Sequence, residues 1–275
     1  MGQIVAGYAI SHSSMMVSQP ELVEPEVRGR CYAALERVRE EIAALAPDCL
    51  VVVGGDHFNN FFYDLYPQWC VGRAEEYSGW ADNIPMYKAT GDPILSNHII
   101  SSLLEQGFEP AFSNEMKLDH AFFGPLHFVT PKMDIPIVPV FQNTITYPLA
   151  TLKRSLALGE ALANAIASSP DDKRIVIIGS GGLSHWLGGP EHGRLNPEFD
   201  HEFMRRFAAN DREWLTSFTD DEIIELAGNG GHEIRNWLTV RGALGNAPAE
   251  SIYYDPLYPW YVGAGISHIE PETVA

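Results

Sequence analysis

The chain has 275 residues, and its 36 acidic against 18 basic residues give a formal net charge of −18. A surface of this charge repels phosphate backbones and the sequence has no run of Lys and Arg, so we expect no nucleic-acid partner. We also expect a cytoplasmic protein without a membrane partner. The chain lacks an apolar run of about 20 residues, we expect no signal peptide, and two of its three cysteines, Cys31 and Cys49, look like core thiols.

Short apolar runs alternate with segments of helical period, which is typical of an α/β fold. The predicted elements are, in chain order, a strand at Ile4–Ile10, a helix over 25–46, a strand at Leu50–Val53, a long loop over 58–91 with a short strand near Trp69–Gly72, a helix over 92–106, a strand at Ile135–Phe141, a helix at Leu152–Ala167, a strand at Arg174–Ile178, and helices after Pro190 that include His232–Leu244. A capping box is predicted at Thr219 and Glu222, with Gly228 ending that helix. We interpret residues 1–275 as one domain with a central mixed sheet flanked by helices.

Histidines follow three of the predicted strands, each just past the strand end. His12 follows the first strand in the turn SHSS, His57 follows VVVGGD, and His185 follows GSGGLS. The carboxyl ends of the strands share one edge of an α/β sheet, where ligands bind, and glycines beside two of these histidines let the backbone approach a ligand closely. Any one of the ten histidines is better explained as an ordinary loop residue, but three at strand ends indicate a shared site.

Glu233, in the segment GNGGHEIRNW, is the candidate third ligand beside His12 and His57. A carboxylate in the first turn of a helix also stabilises the helix dipole without any metal, and the pattern alone does not choose between the two explanations. The segment is not the zinc-protease motif HExxH, since Asn236 stands where the second histidine belongs. Two histidines and one carboxylate suit non-haem Fe(II) with open positions for substrate and oxygen, and they also suit catalytic Zn²⁺.

Several neighbours of these residues have both a functional and a structural explanation. His120, like His185, is a candidate acid or base. Asp56 and Asp119 each precede a candidate histidine, where they could orient its ring or form a turn. Tyr147, after NTIT, is a candidate substrate contact. Four aromatic residues could wall a ring-binding pocket or simply pack in the core: Phe58, Phe61, Phe62 and Trp186.

Five segments, in this order, resemble the class III extradiol ring-cleavage dioxygenases. They are SHSS around His12, GGDHFNNFFYDLYPQWCVG around His57, KLDHAFFGPL around His120, GSGGLSH around His185 and HEIRNW around Glu233. The resemblance runs from the N-terminus to about Gly265. DHFNNFFYD and KLDHAFFGPL look like the dihydroxyphenylpropionate branch of the family, whereas NTITYP and GGPEHGRLNPEFDHEF look more like the β subunit of protocatechuate 4,5-dioxygenase.

The resemblance implies a cofactor, a reaction and a set of site residues. His12, His57 and Glu233 match Fe(II) ligands at the carboxyl ends of the strands, His185 matches the catalytic base, and His120 matches a second acid/base or substrate-contacting histidine. The implied reaction inserts both atoms of O₂ into a catecholic ring, that of protocatechuate, dihydroxyphenylpropionate or a related catechol, and gives a ring-opened semialdehyde acid. The alternatives are a zinc hydrolase with the same ligands and a non-catalytic binding module. The family also implies a homo-oligomer, or a hetero-oligomer with a small subunit.

Overall fold

The computed structural model describes residues 1–79 and 86–271. Ten strands lie in these ranges, and they are, in chain order, β1 Gln3–Ile10, β2 Cys49–Gly54, β3 Trp69–Gly72, β4 Glu76–Gly79, β5 Tyr87–Thr90, β6 Ala111–Ser113, β7 Ile137–Gln142, β8 Arg174–Ser180, β9 Ala249–Leu257 and β10 Val262–Ile269. Strands β4 and β5 form a separate antiparallel pair. The other eight form one sheet in the order β6-β3-β7-β2-β8-β1-β10-β9.

The large sheet is mixed, as the sequence predicts. Its four central strands, β7, β2, β8 and β1, run parallel. Strand β3 joins β7 antiparallel on one side, and β10 and β9 continue antiparallel beyond β1 on the other. Parallel strands are normally covered on both faces, and the helices of this chain provide that cover.

The helices of the described ranges are α1 Met15–Ser18, α2 Pro25–Leu45, α3 Pro93–Glu105, α4 His120–Val129, α5 Leu152–Ala167, α6 Pro197–Ala208, α7 Arg212–Leu215, α8 Asp220–Ala227 and α9 Ile234–Ala243. Short 3-10 turns precede α2 and α9 and join β9 to β10. The capping box predicted at Thr219 and Glu222 is present, and Gly228 caps the end of α8. Within the described ranges, no helix has both the length and the apolar character needed to cross a membrane.

Two hydrophobic cores lie on opposite faces of the sheet. On β2, Val51 and Val53 pack into one core with residues of α3, α5, α6 and α9. Their neighbours Leu50 and Val52 pack into the other core with residues of α2 and α4. Because successive side chains of a strand point to opposite faces, the run LVVV is apolar throughout. All three cysteines are free and buried, as predicted for Cys31 and Cys49.

The pairing register places the ends of the central strands level with one another. Ile10 of β1 pairs with Ser180 of β8, and Val53 of β2 pairs with Gly179 of the same strand. The residues that follow β1, β2 and β8 therefore leave the sheet side by side, at its carboxyl edge. These are the three segments that carry the predicted strand-end histidines.

Several elements differ from the prediction. The loop over 58–91 contains β4 and β5 as well as the predicted β3, and α4 begins at His120 where no helix is predicted. The C-terminal strands β9 and β10 are also additional. The predicted helix His232–Leu244 is α9, which begins two residues later because a 3-10 turn, Gly230–Glu233, comes first.

Candidate active site

Three side chains from distant parts of the chain meet at the carboxyl edge of the sheet. His12 follows β1, His57 follows β2, and Glu233 ends the 3-10 turn before α9. Nε2 of His12 lies 3.4 Å from Oε1 of Glu233, and Nε2 of His57 lies 3.5 Å from the same oxygen. The two imidazole rings are nearly perpendicular, with centroids 5.5 Å apart. Two nitrogens and one carboxylate oxygen therefore face a common point, as ligands of one metal ion do.

Both histidine rings are held by their second nitrogen. Nδ1 of His12 lies 2.8 Å from the hydroxyl oxygen of Ser180, the last residue of β8. Nδ1 of His57 lies 3.1 Å from Oδ2 of Asp119, which also accepts the backbone N–H of His57 at 2.7 Å. Since a carboxylate accepts, Nδ1 of His57 carries a proton, and Nε2 is the nitrogen that faces Glu233. Such outer contacts fix the tautomer and orientation of metal-binding histidines.

The two aspartates beside candidate histidines have different roles. Asp119 contacts the His57 ring and also caps α4, because its Oδ1 accepts the backbone N–H of Ala121 at 2.8 Å. Both explanations offered by the sequence therefore hold for Asp119. Asp56 instead accepts backbone N–H groups of the following turn, including that of Phe61 at 3.1 Å. It is a turn-forming residue.

The Glu233 side chain is buried and points away from the helix that follows it. Its Oε2 accepts the backbone N–H of Gly182 at 2.6 Å, which leaves Oε1 facing the two histidines. The carboxylate makes no capping hydrogen bond to α9. The loop after β8 approaches so closely that a Cβ on Gly181 would lie 2.6 Å from the Cβ of Glu233.

The charges in this cluster are mutually dependent. Burial alone would lower the pKa of His57, but the carboxylates of Asp119 and Glu233 outweigh it and raise the pKa well above its usual value. Burial alone would raise the pKa of Glu233, but His12, His57 and His185 hold it well below its usual range. The two carboxylates thus stabilise positive charge among the imidazoles, and a divalent cation with N and O ligands fits such a donor set.

A second donor set is His12, His57 and His120, because one nitrogen of each lies within 4.8 Å of the others. The rings of His57 and His120 are stacked, with centroids 4.1 Å apart and planes only 20° apart. An imidazole lone pair lies in the plane of its ring, and two stacked, nearly parallel planes do not converge on an ion close to both nitrogens. We therefore favour Glu233 over His120 as the third donor.

His185 is held rigidly beside Glu233. Its Nδ1 lies 3.0 Å from the carbonyl oxygen of Leu183, so Nδ1 donates and Nε2 is the unprotonated nitrogen. Nε2 lies 3.8 Å from Oε2 of Glu233. Burial lowers the pKa of His185, although the Glu233 carboxylate opposes the change, so the ring is neutral near pH 7. A Cβ on Gly230 would overlap the His185 ring, and only glycine leaves room for it.

The residue before His185 is anchored by a buried carboxylate of α6. Asp200 accepts the backbone N–H of Ser184 at 2.8 Å, the Ser184 hydroxyl at 2.7 Å and the Tyr254 hydroxyl at 2.7 Å. Burial raises the pKa of Asp200 to about 6, and these hydrogen bonds only partly oppose it. This contact ties the loop after β8 to the α6 helix.

A cavity of about 250 Å³ opens onto the histidines. Ten residues line it: His12, Ser13, Ser14, Met15, His57, His120, His185, Leu187, Trp260 and Tyr261. Trp260 ends the 3-10 turn between β9 and β10 and Tyr261 follows it; the sequence did not indicate either as a wall residue. The four aromatic residues for which the sequence left both a pocket and a core role open, Phe58, Phe61, Phe62 and Trp186, are not among these ten lining residues. Phe61, for example, packs on Phe141 at 4.7 Å between ring centroids.

A second polar cluster lies behind Glu233 and was also missed. The buried Arg235 donates to Nδ1 of His232 at 2.9 Å and pairs with Asp220 of α8. Nε2 of His232 lies 2.7 Å from the hydroxyl of Tyr147. Tyr147 therefore contacts the neighbour of Glu233 and does not line the cavity. The spacing of His232 and Arg235, which are three residues apart, is the feature of the sequence that indicates their contact.

Comparison with known proteins agrees with this geometry. Residues 6–263 match the family described as the catalytic LigB subunit of aromatic ring-opening dioxygenase. The chain belongs to this family. It is a ring-cleaving dioxygenase of the extradiol type, and its α/β architecture is that of a LigB-family enzyme.

The most similar relatives found among curated proteins include two 2,3-dihydroxyphenylpropionate/2,3-dihydroxicinnamic acid 1,2-dioxygenases. That of Rhodococcus sp is 30% identical, over 96% of this chain and 97% of the relative. That of Photorhabdus laumondii is also 30% identical, over 96% of each. Among solved structures, an uncharacterised protein of Escherichia coli K12 superposes with a TM-score of 0.66, over 96% of this chain and 99% of that one. Its 17% identity shows a shared fold alone.

Proposed function

We propose that this LigB-family enzyme depends on Fe(II) and inserts both atoms of O₂ into a catecholic ring, giving a ring-opened semialdehyde acid. We propose His12, His57 and Glu233 as the iron ligands and His185 as the catalytic base. His120 is proposed as a second acid/base or substrate-contacting group. The substrate class, protocatechuate, dihydroxyphenylpropionate or a related catechol, rests on the family and its relatives.

One observation carries the ligand assignment. Oε1 of the buried Glu233 lies 3.4 Å from Nε2 of His12 and 3.5 Å from Nε2 of His57. Each of the three side chains is held from its other end by Ser180, Asp119 or Gly182. This arrangement supports a facial set of two imidazoles and one carboxylate, which leaves the cavity side open.

The choice of iron follows from the reaction. Bound Fe(II) would supply the one-electron chemistry that lets an aromatic ring react with O₂, which amino-acid side chains do not supply. The chain supplies the donors, their orientation and the cavity. The zinc hydrolase and the binding module find no support among the relatives, which are named as dioxygenases.

His185 is suited to accept a proton from a catechol hydroxyl. Its Nδ1 proton is committed to the Leu183 carbonyl, so Nε2 is the nitrogen available to a substrate in the cavity. After proton transfer, the imidazolium would lie near the Glu233 carboxylate, whose Oε2 is 3.8 Å from Nε2. A base whose protonated form is stabilised in this way is effective near neutral pH.

His120 lines the same cavity as His185. Its ring contacts His12 edge-on, with centroids 5.2 Å apart, and stacks on His57. A substrate in the cavity would therefore have both imidazoles in its wall. This placement supports a role for His120 in donating a proton to the opening ring or in contacting a substrate hydroxyl.

The experiment is anaerobic reconstitution of the whole chain with Fe(II), followed by a panel of catechols in air. A yellow ring-fission product and O₂ uptake equimolar with substrate would support the proposal. Parallel samples loaded with Zn²⁺ should be inactive, because Zn²⁺ has no redox chemistry. Product formation with Zn²⁺, or no product from any catechol with Fe(II), would refute it.

We also propose that the single catalytic domain works in the cytoplasm as a homo-oligomer or with a small subunit. The three buried thiols support a reducing compartment. Large apolar side chains exposed near the site, Phe62, Tyr63 and Leu65, support a contact with another chain. Light scattering of the purified protein would give the oligomeric state.

A further inference from the structure

We propose that the ring opened by this enzyme carries an uncharged, largely apolar substituent. This inference rests on the proposed function, because it concerns the substrate of the same site. It departs from the two relatives, whose named substrates are carboxylic acids. It is based on the charged groups that line the cavity and on the contacts that the basic residues make elsewhere.

Among the described residues, no Lys or Arg side chain lines the cavity. Apart from the four histidines, its lining consists of Ser13, Ser14, Met15, Leu187, Trp260 and Tyr261. None of the 18 Lys and Arg residues of the chain belongs to it. Residues 80–85 and 272–275, which lie outside the described ranges, read WADNIP and ETVA and contain neither Lys nor Arg. A substrate carboxylate would therefore meet no arginine or lysine of this chain in the lining, although such groups commonly recognise carboxylates.

Two arginines close in sequence to His185 and Glu233 already use their guanidinium groups in other contacts. Arg194 lies over the Trp186 ring at 4.5 Å and pairs with Glu191 at 2.7 Å. Arg235 is buried in its pair with Asp220.

The carboxylates behind the histidines would balance the charge of a divalent ion. Glu233 and Asp119 both contact the candidate ligand histidines, and their two negative charges match the two positive charges of such an ion. No net positive charge then remains to attract a further carboxylate, and the chain as a whole carries −18. An anionic substituent would be repelled during its approach to the protein.

The upper wall suits an apolar group. The Trp260 indole donates its N–H to the Gln19 carbonyl at 3.1 Å, and the Ser13 hydroxyl donates to the Trp260 carbonyl at 2.9 Å. Both polar groups are thus turned to the protein itself. Met15, Leu187 and the two aromatic rings then offer carbon surface, which stabilises an apolar substituent by burial.

The test compares each acid with its methyl ester on the Fe(II)-loaded enzyme: 2,3-dihydroxyphenylpropionate against its ester, and protocatechuate against its ester. We expect kcat/KM to be roughly tenfold or more higher for the esters, since the acids approach like charges without a counter-ion. Added salt should raise kcat/KM for the acids and leave the esters unchanged. Equal or higher kcat/KM for the acids would overturn the inference.

Binding separates this inference from the proposed reaction. Anaerobic titration followed by tryptophan fluorescence gives a Kd for each compound whether or not turnover occurs. Tighter binding of the esters supports the inference even if no ring is opened, in which case the proposed reaction alone fails. Tighter binding of the acids overturns the inference even if every ring is opened.

A gain-of-function variant tests whether the cavity wall sets the preference for esters over acids. Leu187→Arg places a cation at the half-exposed rim of the cavity and should move the acid-to-ester ratio of kcat/KM about tenfold toward the acids. Leu104→Arg, on the exposed side of α3 and outside the cavity lining, makes the same change in net charge and should move the ratio less than twofold. An equal shift in both variants would show that the cavity wall does not set the preference.

Discussion

Two polar clusters lie back to back around residues 232 and 233. On one side, His232 uses both ring nitrogens, with Arg235 and Tyr147, and Arg235 is neutralised by Asp220. Burial and the nearby Arg235 lower the pKa of His232 to about 3, so it is neutral. This cluster satisfies its own charges and hydrogen bonds.

The other side does not balance itself in the same way. Nε2 of His12 and Nε2 of His57 both point at one oxygen of Glu233, at 3.4 and 3.5 Å, and the pKa of His57 is raised well above its usual value. The comparison shows how to separate a structural polar cluster from a site that receives a ligand. In the first, each buried polar group is paired within the protein, whereas in the second, the donors converge on a point where a cation fits.

The largest effect is expected from Glu233→Gln, which keeps the shape of the side chain and removes its charge. Affinity for Fe(II) should fall by more than the roughly 10–100-fold typical of changes in the residues around metal ligands, and turnover should fall with it. Iron content after anaerobic reconstitution and gel filtration measures this. Glu105→Gln, on the exposed end of α3, is the matched control. Full iron content in Glu233→Gln would remove Glu233 from the ligand set.

A somewhat smaller loss is expected from His185→Gln, since this residue is proposed to move a proton and not to bind iron. Turnover should fall by roughly 10²–10⁴-fold, the usual contribution of a general base, while iron content stays near that of the wild type. His201→Gln, an exposed histidine of α6, is the control and should retain turnover. Unchanged turnover in His185→Gln would exclude the residue from the mechanism.

Changes in the cluster around His232 and Arg235 should affect the stability of the protein and leave iron binding intact. Asp220→Asn leaves the buried Arg235 guanidinium without its counter-charge, which should lower the free energy of unfolding by about 2 kcal/mol; a fully buried pair loses more, but Asp220 is partly exposed. Asp221→Asn, its exposed neighbour in α8, should change stability little. Urea unfolding of both variants measures this. If folded Asp220→Asn lost its iron, the two clusters would not be separable.

Asp200 is a third kind of buried carboxylate, held by hydroxyl and N–H donors without a cation. Its pKa of about 6 in the folded protein exceeds that of an unfolded Asp, so the folded state binds the proton more tightly. That contribution to stability is present at low pH and is lost as pH rises through about 6. Between pH 5 and 8 the wild type should lose about 1 kcal/mol that Asp200→Asn does not lose.

The check is the difference in unfolding free energy between wild type and Asp200→Asn at the two pH values. Other titrating groups cancel in this difference, because they are common to both proteins. A constant difference across the range would mean that Asp200 titrates below pH 5 in the folded protein.

The sequence predicts the elements that have a regular period. Helices α2, α3 and α5 and the four central strands lie where apolar spacing places them, within two residues at most ends. Helix α4 was not predicted because it is buried on almost all sides and contains Pro125. Its sequence therefore shows no single apolar stripe, and a proline interrupts it. Strand β10 contains two glycines, and β9 has Pro256 near its end, which blurs the alternation of a strand.

The candidate site was predictable in part for the same reason. Parallel strand ends share an edge, so histidines that follow β1, β2 and β8 could be grouped without coordinates. The direction of the Glu233 carboxylate was not accessible, because it depends on the Gly182 N–H, 51 residues earlier in the chain. The contribution of Trp260 and Tyr261 to the cavity wall was not predicted either, since the strands on both sides of their segment were not predicted.

The tight packing of backbone around Glu233 and His185 has a practical consequence for anyone wishing to redirect this catalyst. Randomised libraries should leave Gly181 and Gly230 untouched, since a Cβ at either position collides with Glu233 or His185. Diversity belongs instead at Met15, Leu187 and Tyr261, which border the opening and carry none of the proposed chemistry. The chain thus separates what must stay constant from what can be varied to accept new aromatic compounds.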